Sequence, residues 1–399
     1  MISRRGVWAL AVAETMVWAG TLYIFPALLL HWEADLGWSK TTLAGAYTLA
    51  VLISAAAAPL AGRLVDAGHG VRLLTLGTVA AGLLLALLAA VEQVWQFYVV
   101  WAGIGVAAAA CLYEPCSAFL VRNQGTNARR VLTLITLVTG FASAVAFSGA
   151  NLVAELWGWR ASVLVFGGMM LVLAAPLFLF GARDADRGQT AESKAGEARG
   201  GQDRSGSGAL HAALRRPAFW LLAASFSMIA LAHGILITHL LPMLDERGVP
   251  HGLAVLAASG IGPMQVAGRL AMMTVERRVS MNAVCFLSFA LMAAGAVALI
   301  AAGASPALLA VFVVLHGAGY GVTAITRPVV AAAVLGRDGF GAISGAIALP
   351  FITASAIAPT LAAAVWSVGG YEVVRWGILG LLAITATCFA LAIASSRRR

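Results

Sequence analysis

The sequence predicts an all-α membrane protein with twelve transmembrane helices in two pseudosymmetric six-helix bundles. Three observations lead to this fold class: the composition, the number of long apolar segments and the position of one long polar stretch. Hydrophobic residues make up 61% of the 399 residues, charged residues make up only 11%, and the mean hydropathy is +0.90. A soluble domain of this length does not need so much apolar surface, so lipid is the expected solvent for most of the chain.

The apolar segments divide the chain into two equal halves. A segment needs about 20 apolar residues to cross the hydrocarbon core of a bilayer. Twelve such segments are predicted, at 7–30, 41–61, 73–91, 95–120, 131–154, 161–181, 218–241, 252–274, 281–303, 307–335, 341–366 and 372–394. The polar stretch 182–216 is predicted to be a flexible cytoplasmic linker. It separates an N-terminal bundle at 1–181 from a C-terminal bundle at 217–399, which is the pattern of a parallel repeat.

The first segment and the basic residues set the predicted topology. The segment begins after Arg4 and Arg5 and stays apolar to about Leu30, so an uncleaved spanning helix is predicted rather than a signal peptide. Of the 26 Lys and Arg residues, 21 fall on the side of the N-terminus and 4 on the other side. This asymmetry predicts a multi-pass protein with both termini in the cytoplasm. The basic residues lie in separate short loops, so a nucleic-acid partner is not expected. The high usage of Ala, Gly and Arg indicates a bacterial inner membrane protein.

A charged run joins the second and third segments. Its Asp66 follows Gly62 by four residues, and a weaker echo, Gly268-Arg269-Leu270, occurs 206 residues later, close to half the chain. The echo has Met272 in the place of Asp66. A charged contact that closes the cytoplasmic side is therefore predicted in the N-terminal half only. The alternative is an ordinary solvated turn. The residues predicted to take part in gating are Gly62, Asp66, Gly70, Arg72 and Arg269.

The two-half layout, with Gly62-x-Leu64-x-Asp66-x-x-x-Gly70-x-Arg72 between spans two and three, resembles the major facilitator superfamily over essentially the whole chain. The resemblance implies a secondary transporter whose two bundles rock around a midplane site, with spans one, four, seven and ten lining a central cavity. Gly158-Trp159-Arg160, at the start of span six, is similar to the monocarboxylate and oxalate/formate branch of that family. The first-span signature of that branch is reduced here to Glu14-Thr15-Met16-Val17-Trp18.

Ionisable side chains at membrane depth are costly, and they usually face a cavity or a partner. All six candidates fall on the four spans that the resemblance assigns to the cavity: Glu14, Glu114, His233, His239, His316 and Arg327. Arg327 is predicted to anchor an anionic substrate, because a guanidinium is always charged and holds a carboxylate bidentately. The alternative is an ion pair with Glu114, its counterpart in the other half; each of the two is followed by a proline that can bend the helix. Glu114 or Glu14 is predicted to carry a coupling proton, or else to be a structural acid.

Four further residues complete the predicted substrate site. His316 and His233 lie nearer the middle or the outer half of the membrane, where a histidine titrates, donates to a substrate or is simply hydrogen-bonded. Tyr320 and Trp18 are aromatic residues that either stack on the substrate or pack in the bundle. His239 is expected at the outer boundary, in contact with solvent.

The predicted function is secondary transport of a small, monocarboxylate-like organic anion, coupled to protons or to a counter-substrate. Proton-driven efflux of an amphipathic compound or a toxic oxyanion is the alternative. No enzyme activity, cofactor or metal is predicted, because no His/Asp/Glu or Cys/His group has catalytic or metal-ligand spacing. The expected partners are the substrate, protons and the lipid bilayer, and the chain is expected to act as a monomer.

Overall fold

The computed structural model describes residues 2–124, 128–188, 211–275, 279–303, 305–336 and 340–397. This part of the chain is almost entirely helical and contains no β-strand, which confirms the all-α class. The chain divides into two compact units, Met1–Gly201 and Gln202–Arg399. The boundary between the units falls inside the stretch predicted as a linker.

The N-terminal unit is a bundle of six helices. Ser3 and Ser39 accept a hydrogen bond from a first-turn amide and so cap the first two helices. The last helix continues six residues beyond the predicted end at 181. The helices are α1 (Arg4–Leu36), α2 (Lys40–Leu64), α3 (Gly70–Leu87), α4 (Val94–Gln124), α5 (128–157) and α6 (159–187).

The C-terminal unit repeats this arrangement. Pro217 and Pro306 occupy first-turn positions, where the missing backbone N–H costs nothing. The helices are α7 (Pro217–Asp245), α8 (His251–Val275), α9 (Met281–Ala302), α10 (Pro306–Leu335), α11 (340–368) and α12 (371–397).

Nine helices in the described residues are long and apolar enough to cross a membrane. Three of them are 51, 58 and 54 residues long, far more than one crossing needs. Each of these three contains a glycine with a positive φ, namely Gly68 (85°), Gly158 (83°) and Gly370 (66°). Residues with a side chain rarely adopt this conformation, so a glycine turn divides each long helix in two. The division gives twelve helical segments.

Acidic residues at the ends of α1 and α7 hold two of these glycine turns. Asp35 Oδ2 accepts hydrogen bonds from Trp159 Nε1 and Arg160 Nη1, both at 2.7 Å, just after Gly158. In the C-terminal unit, Glu246 accepts from Trp366 Nε1 at 2.9 Å and from the Tyr371 amide at 3.2 Å, on either side of Gly370. The same connection, from the end of a unit's first helix to the start of its last, therefore occurs in both halves of the repeat.

Helices α8 and α10 approach each other closely because glycines line their contact. A Cβ atom at Gly321 would lie 2.6 Å from Cα and 2.7 Å from the carbonyl carbon of Gln265. A Cβ atom at Gly268 would likewise lie 2.6 Å from Cα of Ala318. Small residues allow such close backbone packing between membrane helices. The glycine-rich run 317–321 is therefore a packing surface inside a helix.

Candidate functional site

Glu14 lies at the centre of the N-terminal unit. Its side chain is fully buried on α1, and Oε1 accepts a hydrogen bond from Trp18 Nε1 at 3.1 Å, one turn further along the same helix. The helix widens into a π-turn at Ala19–Tyr23, directly after Trp18. Such π-turns occur often at functional sites. Trp18, which was predicted either to stack on the substrate or to pack in the bundle, thus donates its indole N–H to the carboxyl group of Glu14.

The second oxygen of Glu14, Oε2, is buried and has no hydrogen-bond partner among the described residues. The charge of Glu114 acts on the Glu14 carboxyl, and the buried thiol of Cys116 lies within hydrogen-bonding reach of that carboxyl. The charge of Glu14 acts in turn on the buried thiol of Cys111. The structure therefore brings together the two acids predicted to couple protons. It also adds two cysteines that sequence reasoning missed, because isolated cysteines in apolar segments carry no spacing signal.

A break in α4 positions Glu114. The helix stops at Leu112, whose ψ of −176° is extended, and resumes at Tyr113. Pro115 follows three residues after the break; it has no N–H to bond back, and its ring crowds the preceding turn. The predicted bend is thus present, and it leaves Glu114 exposed in the first turn of the second half of the helix.

Three of the predicted substrate residues are in contact in the C-terminal unit. His233 on α7 and His316 on α10 are both buried, and Nδ1 of His233 lies 3.1 Å from Nε2 of His316. The ring of Tyr320 stacks on His233, with centroids 3.4 Å apart and planes 11° apart. Residues 83 positions apart in the chain thus form one cluster.

Two arginines extend this cluster. The guanidinium carbon of Arg327 lies 4.0 Å from the ring centroid of Phe351 on α11. Arg269 donates from Nε to the carbonyl oxygen of Gly321 at 3.0 Å, and both arginines act electrostatically on the hydroxyl group of Tyr320. The cluster therefore has a cationic side. The predicted ion pair between Glu114 and Arg327 would join the two units, and it stays a prediction.

The charged run between α2 and α3 forms the tight turn around Gly68. Arg122, at the end of α4, donates from Nη1 to the carbonyl oxygen of Val65 in this turn. Sequence reasoning counted Arg122 only as a basic loop residue and missed this contact. Gly70 allows Phe119 of α4 to approach the start of α3. Asp66 is exposed and makes no ion pair with another described residue, and the exposed Arg72 follows in α3.

The echo of this run in the C-terminal unit, Gly268-Arg269-Leu270, does not form a turn. Arg269 and Met272 lie within α8, which continues to Val275. Met272 is buried and packs with Val284 and Val322 in a hydrophobic cluster between α8, α9 and α10. An acidic side chain at this position would be buried in an apolar cluster, a cost that the exposed Asp66 does not have.

The expectation for His239 was wrong. Its side chain is fully buried rather than in contact with solvent. Nδ1 lies 2.7 Å from the hydroxyl oxygen of Tyr371, and Nε2 lies 2.9 Å from the carbonyl oxygen of Pro359. Both ring nitrogens therefore have partners on the last two helices, and the residue ties α7 to them.

Comparisons with known proteins identify the family of this chain. The family model described as Major Facilitator Superfamily matches residues 8–293. A curated "MFS-type efflux pump" of Mycolicibacterium smegmatis (strain ATCC 700084 / mc(2)155) is 29% identical over 185 residues, which are 44% of this chain and 41% of the pump. The match thus spans less than half of that relative's length.

Two solved structures share the fold over nearly the full length. Both are of a bacterial homologue of the human lysosomal transporter Spinster, in inward-facing unoccupied and occupied conformations. Their TM-scores are 0.71 and 0.69 at 12% identity, over 98% of this chain and 96% of each of theirs. At that identity the likeness concerns the fold alone. Since the family model covers well over half of the residues, this chain belongs to the major facilitator superfamily and is a multi-pass membrane transporter, not an enzyme.

Proposed function

We propose that this chain is a proton-coupled secondary transporter of a small organic anion. The observation that supports this proposal best is the separation of charge between the two units. The buried acid Glu14 and the nearby Glu114 lie in the N-terminal unit, whereas Arg269 and Arg327 act on Tyr320 in the C-terminal unit. One unit thus has groups suited to a proton, and the other has groups suited to an anion.

The N-terminal unit supplies the proton carrier in this proposal. A buried ionised carboxylate costs several kcal/mol unless it is paired. Oε2 of Glu14 is buried and has no hydrogen-bond partner among the described residues, so protonation of Glu14 strongly lowers the free-energy cost of burying this carboxyl. The negative charge of Glu114 repels a second negative charge on the carboxyl group of Glu14. Trp18 holds one oxygen of Glu14 in place while the other remains available.

The C-terminal unit supplies the anion site. Within the described parts of α7 to α12, the acidic residues are Asp245, Glu246 and Glu372, all at helix ends on the same side of the unit. The cluster of Arg327, Tyr320 and the two histidines therefore offers hydrogen-bond donors and positive charge, and the described acids of this unit lie at its helix ends. A carboxylate is the ligand that such a surface favours.

Export of an amphipathic compound is a second candidate. It is favoured by the similarity to the mycobacterial efflux pump, although the match covers only 41% of that protein. The rings of His233, Tyr320 and Phe351 offer flat apolar faces for such a substrate. Counterflow into proteoliposomes with a panel of carboxylates and a panel of cationic amphipathic dyes distinguishes the two candidates. An anion carrier exchanges the carboxylates only.

We expect Arg327→Lys and Arg327→Gln to weaken binding of the transported carboxylate. Hydrogen bonds to charged groups contribute about 1.5–3 kcal/mol, so the loss of bidentate geometry lowers the affinity about 10- to 100-fold. The half-saturation concentration for counterflow measures this change. Arg183→Gln, at an exposed position of α6, is the matched control and should leave it unaltered. Unchanged affinity in Arg327→Gln would remove the anion anchor from the proposal.

Asp66→Asn is expected to shift the balance between the two transport states. A change of about 1 kcal/mol alters the ratio of the states about fivefold. Spin labels at the exposed positions Glu92 and Val368, one in each unit, report the ratio as a distance distribution in a Cys388→Ser background. Met272→Leu, which keeps the apolar volume of the echo position, should leave the distribution as it is. Equal shifts in both variants would argue against a charged contact in the N-terminal half only.

A further inference from the structure

The two buried histidines form an in-plane hydrogen bond. The N···N distance is 3.1 Å, the ring planes differ by only 9° and the centroids are 5.4 Å apart. The centroid separation exceeds the N···N distance by roughly the sum of two ring radii. The rings therefore lie edge to edge, so that an N–H of one ring points along the lone pair of the other, which is the favourable direction for a hydrogen bond.

One nitrogen of this pair has no partner. A neutral imidazole carries one N–H and one lone pair, so a neutral pair places one proton in the bridge and leaves one outer nitrogen bare. Nδ1 of His316 is buried and has no hydrogen-bond partner among the described residues. His239, by contrast, is equally buried and has a partner at each nitrogen. A buried polar atom without a partner costs about 1–3 kcal/mol, so this nitrogen needs a physical explanation.

Aromatic rings surround the pair. Tyr320 covers one face of His233 at a centroid distance of 3.4 Å, and the Phe312 ring lies 5.7 Å from His316. A cation is attracted to the face of an aromatic ring, by about 2 kcal/mol when the site is desolvated. Tyr320 therefore stabilises a positive charge on His233 and opposes the cost of burying that charge.

The helices packed around the pair carry charged and titratable side chains of both signs. On the described parts of α7 to α12 they are Asp245, Glu246, His239, His251, Arg247, Arg269, Cys285, Tyr320, Arg327, Tyr371, Glu372, Arg375 and Cys388. The three acids lie at helix ends. Asp245 is on the same helix as His233 and lies more than three turns away from it. None of these three described acids therefore lies beside the pair, whereas Arg269 and Arg327 act on the stacked ring of Tyr320. A proton on the pair is held by the bridge and the ring face and not by a counter-charge.

We propose that His233 and His316 together bind one proton, forming an imidazole–imidazolium pair that is a second proton site of the transporter, separate from Glu14. The added proton occupies the bare outer nitrogen, and the bridge spreads the charge over both rings. The site lies in the C-terminal unit beside Arg327, so each unit has its own proton-binding group. This inference does not depend on the identity of the substrate.

Nitrogen-15 NMR of the histidine-labelled full-length protein in lipid nanodiscs tests the proposal without a substrate. We expect the ring nitrogens of His233 and His316, among seven histidines, to shift together in a single titration as the pH is lowered. His316→Gln should abolish the joint titration and remove one proton equivalent from the potentiometric titration of the protein. Two histidines that stay neutral throughout, or that titrate independently, would overturn the proposal.

A second pair of variants tests the role of the ring face. Tyr320→Phe keeps the aromatic face and should leave the midpoint of the joint titration unchanged, whereas Tyr320→Leu should move it to lower pH. Equal midpoints in both variants would exclude stabilisation by the ring. Because these readouts need no transport, the proton site stands or falls separately from the anion-transport proposal, which the counterflow assay tests.

Discussion

Glu14→Gln is expected to abolish accumulation of substrate driven by a pH gradient, while exchange of substrate across the membrane continues. Glutamine has nearly the same shape and keeps an oxygen that accepts from Trp18 Nε1, so the fold of α1 is preserved. Its amide does not take up a proton, so transport loses its coupling. The measurement compares uptake into proteoliposomes with and without a pH gradient, alongside counterflow at equal pH.

The control for this variant is Glu92→Gln, which neutralises an exposed acid between α3 and α4 and should retain full coupling. Glu114→Gln separates the two acids. If Glu14 and not Glu114 carries the coupling proton, Glu114→Gln still responds to the gradient. A Glu14→Gln protein that concentrates substrate as well as the wild type would show that the proton travels elsewhere.

Gly321→Ala should destabilise the C-terminal unit by about 1–3 kcal/mol. The new Cβ would lie 2.6–2.7 Å from backbone atoms of Gln265, which have no rotamer by which to move away. Helices α8 and α10 must therefore separate. The hydrogen bond from Arg269 to the Gly321 carbonyl would lengthen, and Tyr320 would shift with its helix. Thermal unfolding in detergent, followed by tryptophan fluorescence, measures the loss, and transport should fall with it.

Gly380→Ala is the matched control, because nothing lies within 4 Å of the corresponding Cβ on α12. Alanine is the better helix former by up to about 1 kcal/mol, so this variant should be as stable as the wild type or more so. If both variants unfolded at the wild-type temperature, the close approach of α8 and α10 would not contribute to stability.

The sequence alone was sufficient for the fold class and for the choice of candidate residues. Lipid requires spanning segments to be apolar and their backbones to be hydrogen-bonded internally, so long apolar runs predict helices reliably. Ionisable residues are rare in such runs, so Glu14, His233, His316 and Arg327 were identifiable without a structure.

Contacts between helices were decided only by the tertiary structure. Hydropathy specifies that a helix spans the membrane, but not how the helix is rotated or which neighbour it meets. The pairing of His233 with His316 and the full burial of His239 depend on that rotation. Met272 became a core residue because α8 continues through the echo of the charged run, while Gly68 ends the corresponding helix with a turn. The apolar pattern thus determined which segments enter the membrane, and side-chain packing determined which of their few polar groups meet.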